Sequence, residues 1–332
     1  MPFLPIRNLS SGGVITNYHC PSSCRHCLYN CGPSRSRDYL DPSMAEKIFR
    51  TIRRLGCRSV HIGGGEPFLD PQGLEQIVET ACSCGVAIDY VETNSAWYID
   101  EKKATAILKA LSAAGLEKLL ISISPFHNEF IPFKKVKGVI DIGRKLGYSL
   151  FPWKSDFIKD LSQFDDGVPH GPEAFIEQFG HRYLETVLNR YWIHLGGRAI
   201  DTFRPVLRST HLSTLLRKQR GGCAAALSDT SHFHIDLYGN YIPGLCSGLA
   251  IPHTLLGAPL KEEDFPILHI LAVSGVKGLM RFAEERFNIS PKRDAYLNAC
   301  DLCSELRTGI VHARPHTFRE LEPEGFYGGD AH

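Results

Sequence analysis

Four cysteines lie within twelve residues near the start of the chain, in the stretch CPSSCRHCLYNC (20–31). Cys20, Cys24 and Cys27 have the spacing C-x3-C-x2-C, and a loop with that spacing can direct three sulfurs at one centre. Three thiolates can ligate three irons of a [4Fe–4S] cluster and leave the fourth iron open to an outside ligand. The alternative is a structural zinc loop, although zinc ligands usually come in sets of four. Cys31 is a fourth thiol in this loop, one more than such a cluster requires.

The composition favours a cytoplasmic protein that uses its thiols for metal binding or thiol chemistry. The 332 residues carry 37 Lys+Arg against 36 Asp+Glu without a polybasic run, so neither nucleic acid nor an anionic membrane is expected as a partner. No signal peptide and no 18-residue apolar run stand out. Eleven cysteines in a reducing compartment argue against a disulfide framework.

The first two-thirds of the chain alternates between short apolar runs and amphipathic stretches, which predicts a parallel sheet with crossover helices. The predicted strands are 13–19, 59–63, 86–93, 118–124, 148–153 and 191–196. The predicted helices are 43–55, 72–84, 101–114, 133–146 and 172–188. Six such units suit an open barrel or a doubly wound sheet, and in both folds ligands gather at the carboxyl ends of the strands.

The pattern changes after Gly197. Residues 199–222 are predicted to be irregular, and residues 231–246 to form a hairpin that turns at Gly239-Asn240. Helical patterns follow at about 261–288 and 293–306, and the tail, rich in proline and glycine, is predicted to be weakly structured.

A second motif follows the second predicted strand, where the residues are Gly64, Gly65, Glu66 and Pro67. With the first three cysteines, this GGEP sequence resembles the radical S-adenosylmethionine (SAM) superfamily over roughly residues 13–200. The resemblance implies a partial (β/α)6 barrel, with a radical SAM domain over 1–200. It also implies that GGEP binds the SAM amino group, for which exposed carbonyls, a carboxylate and glycines that allow close approach are suited.

The same resemblance implies further contacts to SAM at the ends of later strands. The family often has an aromatic residue before the third cysteine, and His26, which stands there in this chain, can still pack on adenine. The remaining implied contacts are Glu92, Asn94, Ser122, Ser124 and Arg198. The implied chemistry is reductive cleavage of SAM to a 5′-deoxyadenosyl radical that abstracts a hydrogen atom, with a flavodoxin- or ferredoxin-type reductant.

Four later cysteines resemble the auxiliary-cluster extension called twitch or SPASM. In that family a cysteine, a hairpin, a second cysteine and a later C-x2-C hold an auxiliary [4Fe–4S] cluster. The matching residues are Cys223, Cys246, Cys300 and Cys303, which implies a small hairpin-plus-helix domain within residues 201–332. Extra residues before Cys246 leave its role open. The alternatives are a four-cysteine zinc site, or a merely buried thiol at Cys246.

The opening loop also resembles that of radical SAM peptide epimerases, which carry a cysteine four residues after the third ligand. Such enzymes convert a residue of a ribosomally made peptide to its D form and need a thiol that returns hydrogen. The candidate donors are Cys246 and Cys31, and the alternative for Cys31 is a loop thiol packed near the cluster. Two alternatives stay open: a radical SAM dehydrogenase or other hydrogen-abstracting enzyme acting on a small molecule, and a non-catalytic iron–sulfur or zinc protein, which would have no need of a GGEP motif.

Two further groups of polar residues have chemistry-bearing types. His127 and Glu129 follow the fourth predicted strand and could contact a substrate, act as acid or base, or form a solvated loop. His232 and His234 alternate along the predicted hairpin, so both side chains point to one face. No third metal ligand is evident nearby in the sequence, so these two histidines are predicted to be structural.

Overall fold

The computed structural model describes residues 3–328 and has a mostly parallel central sheet in the order β5-β4-β3-β2-β1-β7-β8-β9. Strands β1 to β5 and β7 run parallel to one another, and β8 pairs antiparallel with both β7 and β9. A small antiparallel pair, β6 with β10, stands apart. The strands are β1 (Gly12–Ile15), β2 (Ser59–Gly63), β3 (Ala87–Thr93), β4 (Lys118–Ser122), β5 (Ser149–Trp153), β6 (Thr210–His211), β7 (Phe233–Asp236), β8 (Asn240–Ile242), β9 (Ile251–Pro252) and β10 (Ala295–Tyr296).

Helices connect the parallel strands. Helix α1 is typical, because the Asp41 side chain caps its first turn and an apolar stripe from Ala45 to Ile52 packs into the core. The helices are α1 (Pro42–Arg54), α2 (Pro71–Ser83), α3 (Glu101–Ala113), α4 (Pro125–Asn128), α5 (Phe133–Lys145), α6 (Asp156–Leu161), α7 (Pro172–Phe179), α8 (Tyr183–Arg190), α9 (Ala199–Phe203), α10 (Leu212–Lys218), α11 (Ala224–Leu227), α12 (Pro266–Phe287) and α13 (Ala299–Ala313). The α/β fold with a mostly parallel sheet is therefore confirmed.

The sixth parallel strand is not the predicted one. Residues 191–196 form no strand, and Trp192 is 62% exposed. The free edge of β1 pairs instead with β7 of the predicted hairpin, in the register Gly12↔Phe233 to Ile15↔Asp236. The hairpin itself is confirmed, but its turn lies at residues 237–239, because Asn240 already begins β8, and the hairpin extends the main sheet. The division of the chain at residue 200 stays a prediction, since one sheet continues across it.

The residues between 199 and 222 and those of the tail are more ordered than predicted. Helices α9 and α10 and strand β6 lie in the first segment. In the tail, Leu321, Phe326 and Tyr327 are buried, and the fully buried Glu320 accepts a hydrogen bond of 2.7 Å from the backbone N–H of Ile267 at the start of α12. Buried aromatic side chains thus fix a segment that its proline and glycine content predicts to be weakly structured.

Helix α12 is long and apolar enough to cross a membrane by length and composition alone. Half of its apolar window is buried inside the protein, and Gly275 interrupts the helix with a φ of 61°. A cytoplasmic location without membrane or nucleic-acid partners stays a prediction.

Candidate active site and the second cysteine cluster

The cysteine loop and the GGEP loop meet because they follow neighbouring parallel strands. Strand β1 pairs with β2 up to Ile15↔Gly63, so both chains leave the sheet at the same edge. There they enclose a cavity of about 110 Å³, called the first cavity. Its lining comprises Cys20, Ser22, Cys24, His26, Cys27, Cys31, Gly64, Gly65, Pro67, Glu92, Thr93, Asn94, Ser122 and His127.

The two glycines of GGEP allow the loops to approach each other closely. The N–H of Gly65 donates to the Asn17 carbonyl at 2.7 Å, and a Cβ on Gly65 would lie 2.0 Å from the His19 carbonyl oxygen. A Cβ on Gly64 would lie 2.5 Å from Oδ1 of Asn17. Both positions therefore require glycine for backbone packing at the cavity wall.

Glu66 holds the strand ends and does not line the first cavity. Its carboxylate accepts hydrogen bonds from Asn94 N–H (2.7 Å), the Thr93 hydroxyl (2.9 Å) and Phe68 N–H (3.1 Å). Burial raises the pKa of Glu66 to about 7, and these donors oppose the shift. The carboxylate thus joins the GGEP loop to the end of β3.

The end of β3 supplies two polar groups to the cavity wall. Asn94 Nδ2 lies 3.3 Å from the Cys20 sulfur. Glu92 is one-third exposed, and partial burial raises its pKa to about 7. At the end of β4, Ser122 lines the cavity but Ser124 does not. Ser124 instead caps α4 and lies 2.7 Å from Nδ1 of His127.

His26 stacks against an aromatic wall at the side of the first cavity. Its ring lies 4.9 Å from that of Phe126, and the His127 and Tyr191 rings meet it edge-on. Burial holds the pKa of His26 well below its usual value, so the ring is neutral. A neutral, aromatic-packed imidazole at this place suits a flat apolar ligand group.

Arg198 holds the cysteine loop from outside the first cavity. Its guanidinium donates to the Cys24 carbonyl at 3.0 Å and to the Cys31 carbonyl at 2.5 Å, and its own N–H donates to the Cys27 carbonyl. The structure therefore places Arg198 against the loop backbone, and a contact to SAM stays a prediction. Glu129 likewise lies outside the cavity and pairs with Arg25 at 2.9 Å.

Cys31 lies beside the third predicted ligand. Its backbone N–H donates to the Cys27 sulfur at 3.4 Å, and its side chain is buried against the Gly64 carbonyl. The hydrogen bond between the two thiols lowers the pKa of Cys27 to about 6 and raises that of Cys31. Cys31 is thus a protonated thiol within the first cavity.

The three predicted ligands suit an iron–sulfur cluster better than zinc. Tetrahedral zinc brings thiolates to about 3.8 Å from each other, since Zn–S bonds are about 2.3 Å. Within residues 3–328, no three cysteine sulfurs all lie within 4.8 Å of one another. Burial raises the pKa of the Cys20 thiol to about 12, so three thiolates at this site need a cationic partner.

The family model of the radical SAM superfamily matches residues 14–146. This segment belongs to the radical SAM superfamily. The matched residues include the cysteine loop, the GGEP loop and strands β1 to β4.

Two curated relatives resemble parts of the chain. One is YydG of Bacillus subtilis (strain 168), which carries the provisional name of a peptide biosynthesis protein; it is 22% identical over 126 residues, or 38% of this chain and 39% of YydG. The other is GTP 3′,8-cyclase of Aquifex aeolicus (strain VF5), 26% identical over 165 residues, or 44% of this chain and 49% of the cyclase. The chain spans less than half the length of each relative.

Solved structures also resemble the chain. The protein anSMEcpe with bound AdoMet superimposes with a TM-score of 0.41 at 14% identity, covering 92% of this chain and 96% of its own. Methylornithine synthase (PylB) gives a TM-score of 0.33 at 18% identity, covering 43% of this chain and 44% of its own.

The four later cysteines converge outside the radical SAM segment. Cys223 precedes α11, Cys246 follows the turn after β8, and Cys300 and Cys303 share one face of α13. All four line a second cavity of about 70 Å³. The predicted set is therefore brought together, while its role as a cluster ligand set stays a prediction.

Sequence reasoning missed Arg307, which also lines the second cavity. Its buried guanidinium donates to the Ser247 carbonyl at 2.9 Å and to the Tyr327 hydroxyl at 2.8 Å. Burial raises the pKa of Cys246 to about 12, and the nearby Arg307 charge opposes that shift. The signal in the sequence was the spacing, because Arg307 follows Cys303 by four residues on one helix.

Proposed function

We propose that the protein reductively cleaves SAM and abstracts a hydrogen atom from a ribosomally made peptide. The observation that carries this proposal is the first cavity, where Cys20, Cys24 and Cys27 meet Gly64 and Asn94. A [4Fe–4S] cluster held by these three cysteines supplies, with SAM and one electron from a flavodoxin- or ferredoxin-type reductant, a 5′-deoxyadenosyl radical.

The residues around the cavity bind and orient in this proposal. The carbonyls of Gly64 and Gly65 and the carboxylate of Glu92 face the SAM ammonium group, Ser122 and Asn94 donate to its polar groups, and the neutral ring of His26 packs on adenine. Glu66 and Arg198 hold the loops from behind, through the contacts described above. Glu92, whose pKa burial raises to about 7, binds the ammonium group in its ionised form.

A peptide substrate is supported by the similarity to YydG, whose name refers to peptide biosynthesis. A cleft of about 640 Å³ beside the cysteine loop, lined by Arg25, Glu129 and Tyr327 among others, offers room for a chain segment. This volume lies within the range of roughly 300–1,000 Å³ that ligand pockets occupy.

We propose Cα epimerisation to a D-residue as the specific outcome. The substrate Cα–H bond breaks, and the Cα radical then takes a hydrogen atom from a thiol. One electron from the reductant and one proton restore the resulting thiyl group. Cys246 shares its cavity with three other cysteines, so we assign it to an auxiliary [4Fe–4S] cluster with Cys223, Cys300 and Cys303. Cys31, which is left in the first cavity, is then the hydrogen donor.

Metal analysis after anaerobic reconstitution with iron and sulfide tests the clusters. We expect about eight irons in the wild type and about four in the Cys20/Cys24/Cys27→Ala variant, because each cubane holds four. About four irons falling to none, with zinc retained, would make the second cavity a zinc site. Absence of iron from both proteins would overturn the proposal.

Turnover in D2O with candidate precursor peptides tests epimerisation. We expect 5′-deoxyadenosine and a deuterated D-residue from the wild type. Cys31→Ala keeps its iron and still releases 5′-deoxyadenosine but forms no D-residue, whereas Cys246→Ala loses about four irons. Full iron content in Cys246→Ala, together with loss of the D-residue, would instead make Cys246 the donor.

A second candidate is a hydrogen-abstracting enzyme acting on a small molecule, with the auxiliary cluster as electron acceptor. The similarity to GTP 3′,8-cyclase favours this class, since its name gives a nucleotide substrate. Release of 5′-deoxyadenosine with nucleotides but not with peptides would select it.

A further inference from the structure

Three histidines converge on the sheet, near Glu92 of the first cavity. His61 lies on β2, and His232 and His234 flank Phe233 at the start of β7. Their ligand nitrogens all lie within 4.8 Å of one another, and no other group of three or more His, Cys, Asp or Glu in residues 3–328 does so. The third ligand that the sequence around His232 and His234 did not reveal is thus supplied by another strand.

The register of the sheet explains how His61 and His234 meet. Strand β1 lies between β2 and β7, and Gly13 pairs with His61 on one side and with His234 on the other. A Cβ on Gly13 would lie 2.3 Å from Nε2 of His61, so only glycine leaves room for the two rings to approach across β1. Their Nε2 atoms are 3.0 Å apart.

We propose that His61, His232 and His234 form a binding site for a divalent transition metal, with Zn²⁺ as the representative ion. Imidazole nitrogens bind zinc at about 2.0–2.1 Å, which places tetrahedral ligands about 3.3 Å apart. The observed 3.0 Å between two Nε2 atoms is close to that spacing. Three histidines leave the fourth position open for water.

A hydroxyl group orients one of the three ligands. The Tyr29 hydroxyl lies 2.8 Å from Nδ1 of His234. When Nδ1–H donates to Tyr29, Nε2 carries the lone pair that faces His61. Metal-binding histidines commonly have such a partner on the second nitrogen. Tyr29 is therefore a positioning residue, and it belongs to the cysteine loop.

A nearby carboxylate and the partial exposure of one histidine also favour a bound cation. Oε1 of Glu92 lies 3.9 Å from Nε2 of His61, and a carboxylate there offsets a dication bound by three neutral rings. The Tyr90 ring stacks on His61 at 5.1 Å, which fixes its orientation. His232 is only partly buried, so an ion can reach the site and that residue can be replaced without disturbing the core.

Zinc counting on the cluster-loaded protein tests the site independently of SAM chemistry. The wild type, His232→Ala and the control His181→Ala, an exposed histidine elsewhere, are equilibrated with Zn²⁺ and a competing zinc indicator and then desalted. We expect one more zinc per chain in the wild type and the control than in His232→Ala, at equal iron. Tyr29→Phe should weaken zinc binding by about 10- to 100-fold.

Two results would overturn this proposal. One is equal zinc in the wild type and His232→Ala, which would make the histidines a hydrogen-bonded core group only. The other is sulfur in the zinc coordination shell, measured by X-ray absorption on the wild type, which would place the ion on cysteines.

Discussion

Glu66 ties the GGEP loop to β3 without reaching the first cavity. All three of its donors belong to the protein, two of them backbone N–H groups. A carboxylate can accept all three hydrogen bonds because both of its oxygens are acceptors. An amide in its place would direct its NH2 group, which is a donor, at a backbone N–H that is also a donor. The role of this residue in the motif is therefore to fix the loop that lines the cavity.

Glu66→Gln is expected to lower the free energy of unfolding by about 1–3 kcal/mol at neutral pH, because a buried donor loses its acceptor. The folded-state pKa of about 7 exceeds the ordinary value of 4.5, so the unfolded chain releases this proton first. The Glu66 contribution therefore decreases as pH rises from about 4.5 to about 7. Urea unfolding at several pH values measures this contribution. The decrease in the free energy of unfolding between about pH 4.5 and pH 7 should be smaller in Glu66→Gln than in the wild type, and should be unchanged in the exposed control Glu79→Gln.

Arg198 holds the cysteine loop through hydrogen bonds to the loop backbone. Arg198→Lys keeps the charge but loses the planar fork that reaches the Cys24 and Cys31 carbonyls, so it should behave like Arg198→Gln. In both variants we expect about four of eight irons to be lost to a chelator faster than in the wild type. Arg182→Gln, which removes an exposed ion pair, is the control. A wild-type rate in Arg198→Lys would show that charge alone suffices.

At the scale of elements, the sequence predicted most strands and helices but not their partners. Strands β2 to β5 lie within the predicted runs, and β1 begins one residue before its run, because each run combines apolar residues with a following helix. The segment 191–196 has a similar composition but is not a strand. Composition alone does not decide which run becomes a strand or where it pairs, because pairing depends on contacts between distant segments: within residues 3–328 the outer edge of β5 stays unpaired, whereas β7 pairs with β1. Convergence of His61 with His234 was hidden for the same reason.

The close approach of the GGEP loop to the backbone of His19 predicts that Gly65 is required for packing. Gly65→Ala would place a Cβ 2.0 Å from a backbone oxygen of His19, which cannot rotate away. We therefore expect loss of the first cluster and a lower melting temperature, with the auxiliary iron retained. Gly167→Ala is the matched control, because its Cβ would meet only the Asp165 side chain at 3.2 Å. Normal iron content in Gly65→Ala would contradict this packing argument.

At the scale of the whole molecule, one sheet and one tail join the two cavities. The hairpin extends the sheet of the radical SAM segment, and Cys246 follows it directly. The Tyr327 hydroxyl bonds Arg307 and the Gly248 carbonyl, so the tail also reaches the second cavity. The cysteine spacing predicted the four thiols, but it could not predict a buried cation that a distant tyrosine holds in place.

The buried Arg307 guanidinium gives the last prediction. A cluster held by Cys223, Cys246, Cys300 and Cys303 becomes more negative on reduction, and the Arg307 charge favours the reduced state. Arg307→Gln should therefore shift the auxiliary reduction potential to a more negative value, measured by redox titration followed by electron paramagnetic resonance. Arg314→Gln, an exposed arginine at the end of the same helix, should leave the potential unchanged. Equal potentials in the wild type and Arg307→Gln would mean that the cation only anchors the tail, and the variant would then lose stability without a change in its redox behaviour.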